Sequence, residues 1–81
     1  MTEDSIKQLI SDGLKSAKVQ VVDTRGSGDH FSAIVICDEF EGKSLVQRHQ
    51  MVYSTVSEIL TKELHALQLK TYSPKEWAEQ N

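Results

Sequence analysis

The sequence predicts a small α+β domain in which helices cover one face of a three-stranded mixed sheet. Three observations carry this expectation. Apolar residues recur at helical spacing near the start of the chain and again from Leu45 onward; a short alternating run and a run rich in β-branched residues are joined by a glycine-containing connection; and another alternating run arrives only after a helical stretch. Each such element has one apolar face, and a sheet backed by helices buries all of them at once. With 81 residues, no internal repeat, no low-complexity segment and no linker-like stretch, the chain is expected to form a single domain over residues 1–81.

The elements follow in order. Ile6, Leu9, Ile10 and Leu14 fall at helical spacing behind Thr2, Glu3 and Asp4, which supply an N-cap and negative charge at the positive end of the helix dipole. Ala17, Val19 and Val21 alternate with Lys18, Gln20 and Val22 as far as Asp23, the pattern of a strand with one buried face. Thr24 to His30 reads as a flexible connection, with Gly26 and Gly28 permitting mobility and His30 on the tip side. Phe31 to Cys37 is rich in β-branched residues and completes a hairpin. Glu41-Gly42-Lys43-Ser44 is a turn whose serine caps the next segment, and Leu45 to Leu64 reads as one broken helix or two consecutive ones. Val52, Val56, Ile59 and Leu60 form the inward stripe there, with Glu58, Lys62 and Glu63 outside. Leu67, Leu69 and Thr71 alternate with Gln68, Lys70 and Tyr72, and the helical crossover before this strand predicts parallel pairing. Ser73, Pro74 and Glu76 restart a helix with a hydroxyl N-cap, a proline where no amide donor is needed, and a carboxylate that closes a capping box. Trp77 is expected to cover the end of the small core beside Pro74 and Tyr72.

Composition narrows the functional classes. The net charge of −3 works against non-specific attraction to nucleic acid. The longest apolar run, Ala33 to Cys37, is far too short to span a bilayer, and the acidic residues Glu3, Asp4 and Asp12 argue against a secretory signal. A single cysteine makes no internal disulfide, so a reducing, cytoplasmic setting is expected, with Cys37 a buried, inert thiol. Gly26 and Gly28 join two strands with no helix N-terminus after them, so they form no phosphate cradle. No serine or cysteine has a base at motif spacing, zinc-type cysteine and histidine spacings are absent, and Asp38, Glu39 and Glu41 read as solvated carboxylates. The expectation is therefore a non-enzymatic protein.

The element order, together with Phe40-Glu41-Gly42-Lys43, Arg48-His49, His65-Ala66-Leu67 and Thr71-Tyr72-Ser73-Pro74-x-Glu76-Trp77, resembles the BolA family over nearly the whole chain. The resemblance implies a fold similar to a type II KH domain, in the order α-β-β-α-α-β-α. It also implies a role beside monothiol glutaredoxins in handling [2Fe-2S] clusters. It places one cluster ligand at His65 and a second at His30, in the loop that supplies histidine in some members and cysteine in others. Read from the residues alone, His65 is a histidine at a helix C-terminus bonding a free carbonyl, and His30 is a solvated loop residue. Imidazole in place of thiolate on one iron raises the cluster's potential and makes the bond sensitive to protonation. Two irons need about four ligands in all, so the remainder must come from a partner cysteine and glutathione, or from a second copy of this chain. The isolated chain is expected to carry no cluster and to be a monomer or weak homodimer. Lys43, Arg48 and His49 offer a partner or nucleic-acid surface. The alternative function is accordingly a KH-like nucleic-acid-binding transcriptional regulator, against which stand the acidic charge and a lone Gly42 where KH domains carry a Gly-X-X-Gly clamp.

Overall fold

The computed structural model of the protein describes residues 2–57, 59 and 66–80. The order is α1 (Glu3–Gly13), β1 (Lys18–Asp23), β2 (His30–Ile36), a 3₁₀ turn at Asp38–Phe40, α2 (Leu45–Thr55), β3 (Ala66–Tyr72) and α3 (Pro74–Gln80). The three strands lie in the order β1-β2-β3, with β1 antiparallel and β3 parallel to the central β2. The α+β mixed-sheet expectation is met, including the parallel third strand.

Local chemistry sets the helix boundaries. Thr2 caps α1 by accepting from the Ser5 amide at 3.0 Å, and the Ser5 hydroxyl accepts from Thr2 N–H at 3.1 Å. Ser44 and Gln47 reproduce that reciprocal pair at the start of α2, and Ser73 and Glu76 do so at α3. Gly42 enters α2 through a left-handed turn with φ of 76°. α2 stops at Thr55, a break that agrees with the expectation of a broken helix or of two consecutive ones between Leu45 and Leu64. Val56 is its C-cap, the Val56 amide bonds back to Tyr53, and Ile59 bonds back to Val56 in a turn. The second member of the expected helix pair, with Leu60 and His65, lies outside the described residues.

The core sits between the sheet and α1 and α2. Ile6, Ile10 and Leu14 of α1, Val52 and Val56 at the end of α2, and the inward residues Val19, Phe31, Ala33, Val35 and Leu67 are all buried, joined by Phe40 and Cys37. Tyr53 ties α2 to the sheet, its hydroxyl donating to the Leu67 carbonyl at 3.1 Å. β2 begins one residue earlier and ends one residue earlier than the sequence suggests, which brings His30 into the strand and leaves Cys37 just beyond it.

Trp77 departs from expectation. Its ring lies 5.2 Å from that of Tyr72, and with Pro74, Ile36, Lys18 and Ser16 it lines a groove. Lys18, Ile36 and Tyr72 are in register across the three strands on the face away from the main core. Trp77 therefore covers the end of that reverse face, where Ile36 is buried without belonging to the main cluster. The cause is local: Tyr72 points away from the core, and α3 starts two residues later, so its first turn folds back over Tyr72.

Candidate metal and partner site

The hairpin connection is organised by one carboxylate. Asp23 Oδ1 accepts from the amides of Arg25 at 3.1 Å and Gly26 at 2.8 Å, and Oδ2 accepts from Gly28 at 2.9 Å. Gly26 and Gly28 adopt φ of 72° and 77°, conformations that side chains rarely tolerate. Desolvation works to raise the Asp23 pKa, but the three amide donors together outweigh it and hold the carboxyl below its ordinary value. The segment read from sequence as flexible is thus a loop folded around Asp23, whose own amide donates to Glu3 Oε2 at 2.8 Å.

That loop delivers His30 to the first position of β2. Its carbonyl accepts from both the amide and the hydroxyl of Thr24, at 3.0 and 3.1 Å. On the other side the Ala66 amide donates to the Asp29 carbonyl at 3.2 Å, and His30 is in register with Ala66. The imidazole is partly exposed, and its Nδ1 lies 2.9 Å from Asp29 Oδ1. His65 lies outside the described residues; its covalent neighbour Ala66 is the residue that β3 sets opposite His30.

Lys43, Arg48 and His49 do not share one outward face. Arg48, 11% exposed in its side chain, donates from Nη1 and Nη2 to the two carboxylate oxygens of Glu76 at 2.6 and 3.3 Å, and from Nε to the Lys43 carbonyl at 3.0 Å. Its guanidinium carbon stands 5.9 Å from the centroid of the Phe40 ring. His49 packs edge-on against Tyr53, and its Nε2 is buried with no hydrogen-bond partner. Lys43 is exposed. Arg48 is therefore a bolt between α2 and α3, a role that its distance in sequence from Glu76 conceals.

The Arg48 hydrogen bond, followed by the Ser73 amide, pulls the Glu76 pKa from 4.5 to about 2. A lowered carboxylate pKa gives stability that is complete above the unfolded value and lost as pH falls. The protein is accordingly expected to lose stability between pH 4.5 and about 2, and Arg48→Ala to flatten that acid limb in denaturation midpoints measured across the range.

Elsewhere, Cys37, Asp38 and Glu39 bring their ligating atoms within 4.8 Å of one another among the described residues. The thiol is fully buried beside Ser16 Oγ at 3.3 Å, and Asp38 already accepts from that hydroxyl at 2.6 Å. These groups satisfy each other.

Among the described residues no helix is long and apolar enough to cross a membrane. Residues 7–76 match the family described as BolA-like protein. The chain is 34% identical over 84 residues to the DNA-binding transcriptional regulator BolA of Escherichia coli (strain K12), covering 95% of this chain and 80% of that protein. A bolA protein homologue from Coxiella burnetii superposes with a TM-score of 0.84 at 39% identity, covering 96% of this chain and 97% of that one. The BolA domain of SufE1 from Arabidopsis thaliana gives a TM-score of 0.80 at 30% identity, covering 91% and 93%. The matched span, the shared element order and the mixed sheet agree, and the chain belongs to the BolA-like family.

Proposed function

We propose that this chain is a non-enzymatic adaptor that binds a monothiol glutaredoxin and shares a [2Fe-2S] cluster with it, as a histidine-type member acting in cluster trafficking or in iron and redox sensing. His65 and His30 are its ligands, and the cytoplasm is its setting. The observation that supports this most is the β2–β3 register, which sets His30 opposite Ala66, the residue bonded to His65. The donor chemistry fits the cargo. Nitrogen ligands suit one iron of such a cluster, and a carboxylate on the other ring nitrogen is the usual companion of a metal-bound imidazole. The remaining ligands come from the partner, as a cysteine and a glutathione thiolate.

The test mixes the chain with a monothiol glutaredoxin, iron, sulfide and glutathione and records visible circular dichroism. His65→Ala is expected to abolish or sharply weaken the heterocomplex spectrum, and His30→Ala to weaken it less. A His65→Ala spectrum of unchanged shape and stability sinks the ligand assignment.

A second reading rests on the relative described as a DNA-binding transcriptional regulator. Engagement of Arg48 by Glu76 counts against it, because phosphate contacts need cations that project outward. DNA affinity that falls steeply with salt, and loses that slope in Lys43→Glu, decides in its favour.

A further inference from the structure

We infer that Asp29 is the positioning residue of the histidine site: whenever the His30 imidazole is neutral, Asp29 holds its proton on Nδ1 and so puts the ring's lone pair on Nε2, the nitrogen that would ligate a metal. The inference rests on the reading of His30 as a ligand and adds the residue that aims it. An ionised carboxylate only accepts hydrogen bonds, so a carboxylate oxygen 2.9 Å from Nδ1 places the proton on that nitrogen. Without such an acceptor, neutral imidazole in water prefers the proton on Nε2. The lone pair is then on Nδ1, the nitrogen crowded by the residue's own backbone.

The holder is itself held. Ser27 donates its hydroxyl to the same Asp29 oxygen that bonds His30, which orients the carboxylate. The Asp29 carbonyl is pinned to β3 by the Ala66 amide, and the His30 carbonyl to the end of β1 by Thr24. The main chain that carries ring and carboxylate is thereby fixed to the sheet on both flanks, and the Asp29 contact holds the imidazole relative to it. This is the preorganisation that a transfer site needs, since ordering the ligand during loading costs affinity.

Two measurements test this. The first is a long-range ¹H–¹⁵N correlation spectrum of the histidine rings in the metal-free chain, at a pH where imidazole is neutral. His30 is expected in the Nδ1–H form in the native chain, in the Nε2–H form in Asp29→Ala, and again in the Nδ1–H form in Asp29→Asn, whose amide oxygen still accepts. Unchanged backbone amide shifts away from the loop establish that the variants are folded. The second is cluster retention in the glutaredoxin heterocomplex challenged with a chelator. Asp29→Ala is expected to hold the cluster about 10–100-fold less tightly, the usual cost of losing the group behind a metal-bound histidine, and Asp29→Asn to stay close to native. A His30 tautomer indifferent to Asp29→Ala overturns the inference, as does a tautomer change that leaves retention intact while His30→Ala lowers it. If neither Asp29→Ala nor His30→Ala alters retention, the reading of His30 as a ligand fails, and the positioning role falls with it.

Discussion

Phe31→Ala is expected to remove about 3–5 kcal/mol of folding stability. The residue is 1% exposed on the central strand, in register with Asp23 of β1 and Leu67 of β3. Truncation forfeits the transfer free energy of the ring and leaves a cavity that neighbours on three elements only partly close. A domain of this length holds about 4–12 kcal/mol in total, so the loss takes a large part of the reserve. Phe31→Leu, which keeps most of the volume, should cost less than about 1.5 kcal/mol. Urea denaturation followed by far-ultraviolet circular dichroism measures both, and equal small losses in the two variants refute the central packing role. Phe31 also adjoins His30, so the Ala variant should blur the ring signals of that histidine before the fold as a whole is lost.

Gly13→Ala is expected to destabilise the protein although alanine is the better helix former. Propensity favours the change by about 1 kcal/mol at a helical position. A Cβ at Gly13, however, falls 2.4 Å from Thr55 Cγ2 and 3.0 Å from Thr55 Cβ. Thr55 is β-branched and its hydroxyl donates to the Val52 carbonyl at 2.6 Å, so its rotamer is fixed twice over. Pushing α1 off α2 costs about 1–3 kcal/mol, which outweighs the propensity gain. The decisive measurement is a double-mutant cycle with Thr55→Ser, which removes Cγ2 and keeps the hydroxyl. The alanine should be harmful in the native background and markedly less so beside serine, where the Cγ2 contact is gone and only the Cβ contact at 3.0 Å remains. Stabilisation in both backgrounds refutes the clash.

What was legible in the sequence was the part encoded locally. Thr2, Ser44 and Ser73 announce the starts of α1, α2 and α3 because a cap and its partner lie within one turn. Val19, Phe31, Ala33, Val35 and Leu67 announce the buried face because strand alternation is a two-residue property. The features that escaped depend on contacts between distant segments or on the path of a turn. Arg48 looks like a free cation until α3 brings Glu76 against it. Trp77 looks like a core residue because periodicity says nothing about which sheet face a following helix crosses. Gly26 and Gly28 suggest looseness, yet the Asp23 carboxylate gathers their amides. His30 reads as loop because the strand ladder that claims it is completed by β3. At the site, both histidines stand out only through family resemblance, whereas the Asp29 contact to His30 is a property of the folded loop.

The parallel pairing of His30 with Ala66 carries a consequence for the order of assembly. β1 and β2 are joined by a short loop, and such a hairpin closes early in folding. Bringing β3 alongside β2 requires closure across the whole crossover, with its larger entropic penalty, and comes later. A half-folded chain with only its hairpin formed therefore holds His30 beside Asp29 and Thr24 but lacks Ala66 of β3 opposite it. On the proposed reading of His30 and His65 as one site, that site is complete only when the last strand has joined the sheet.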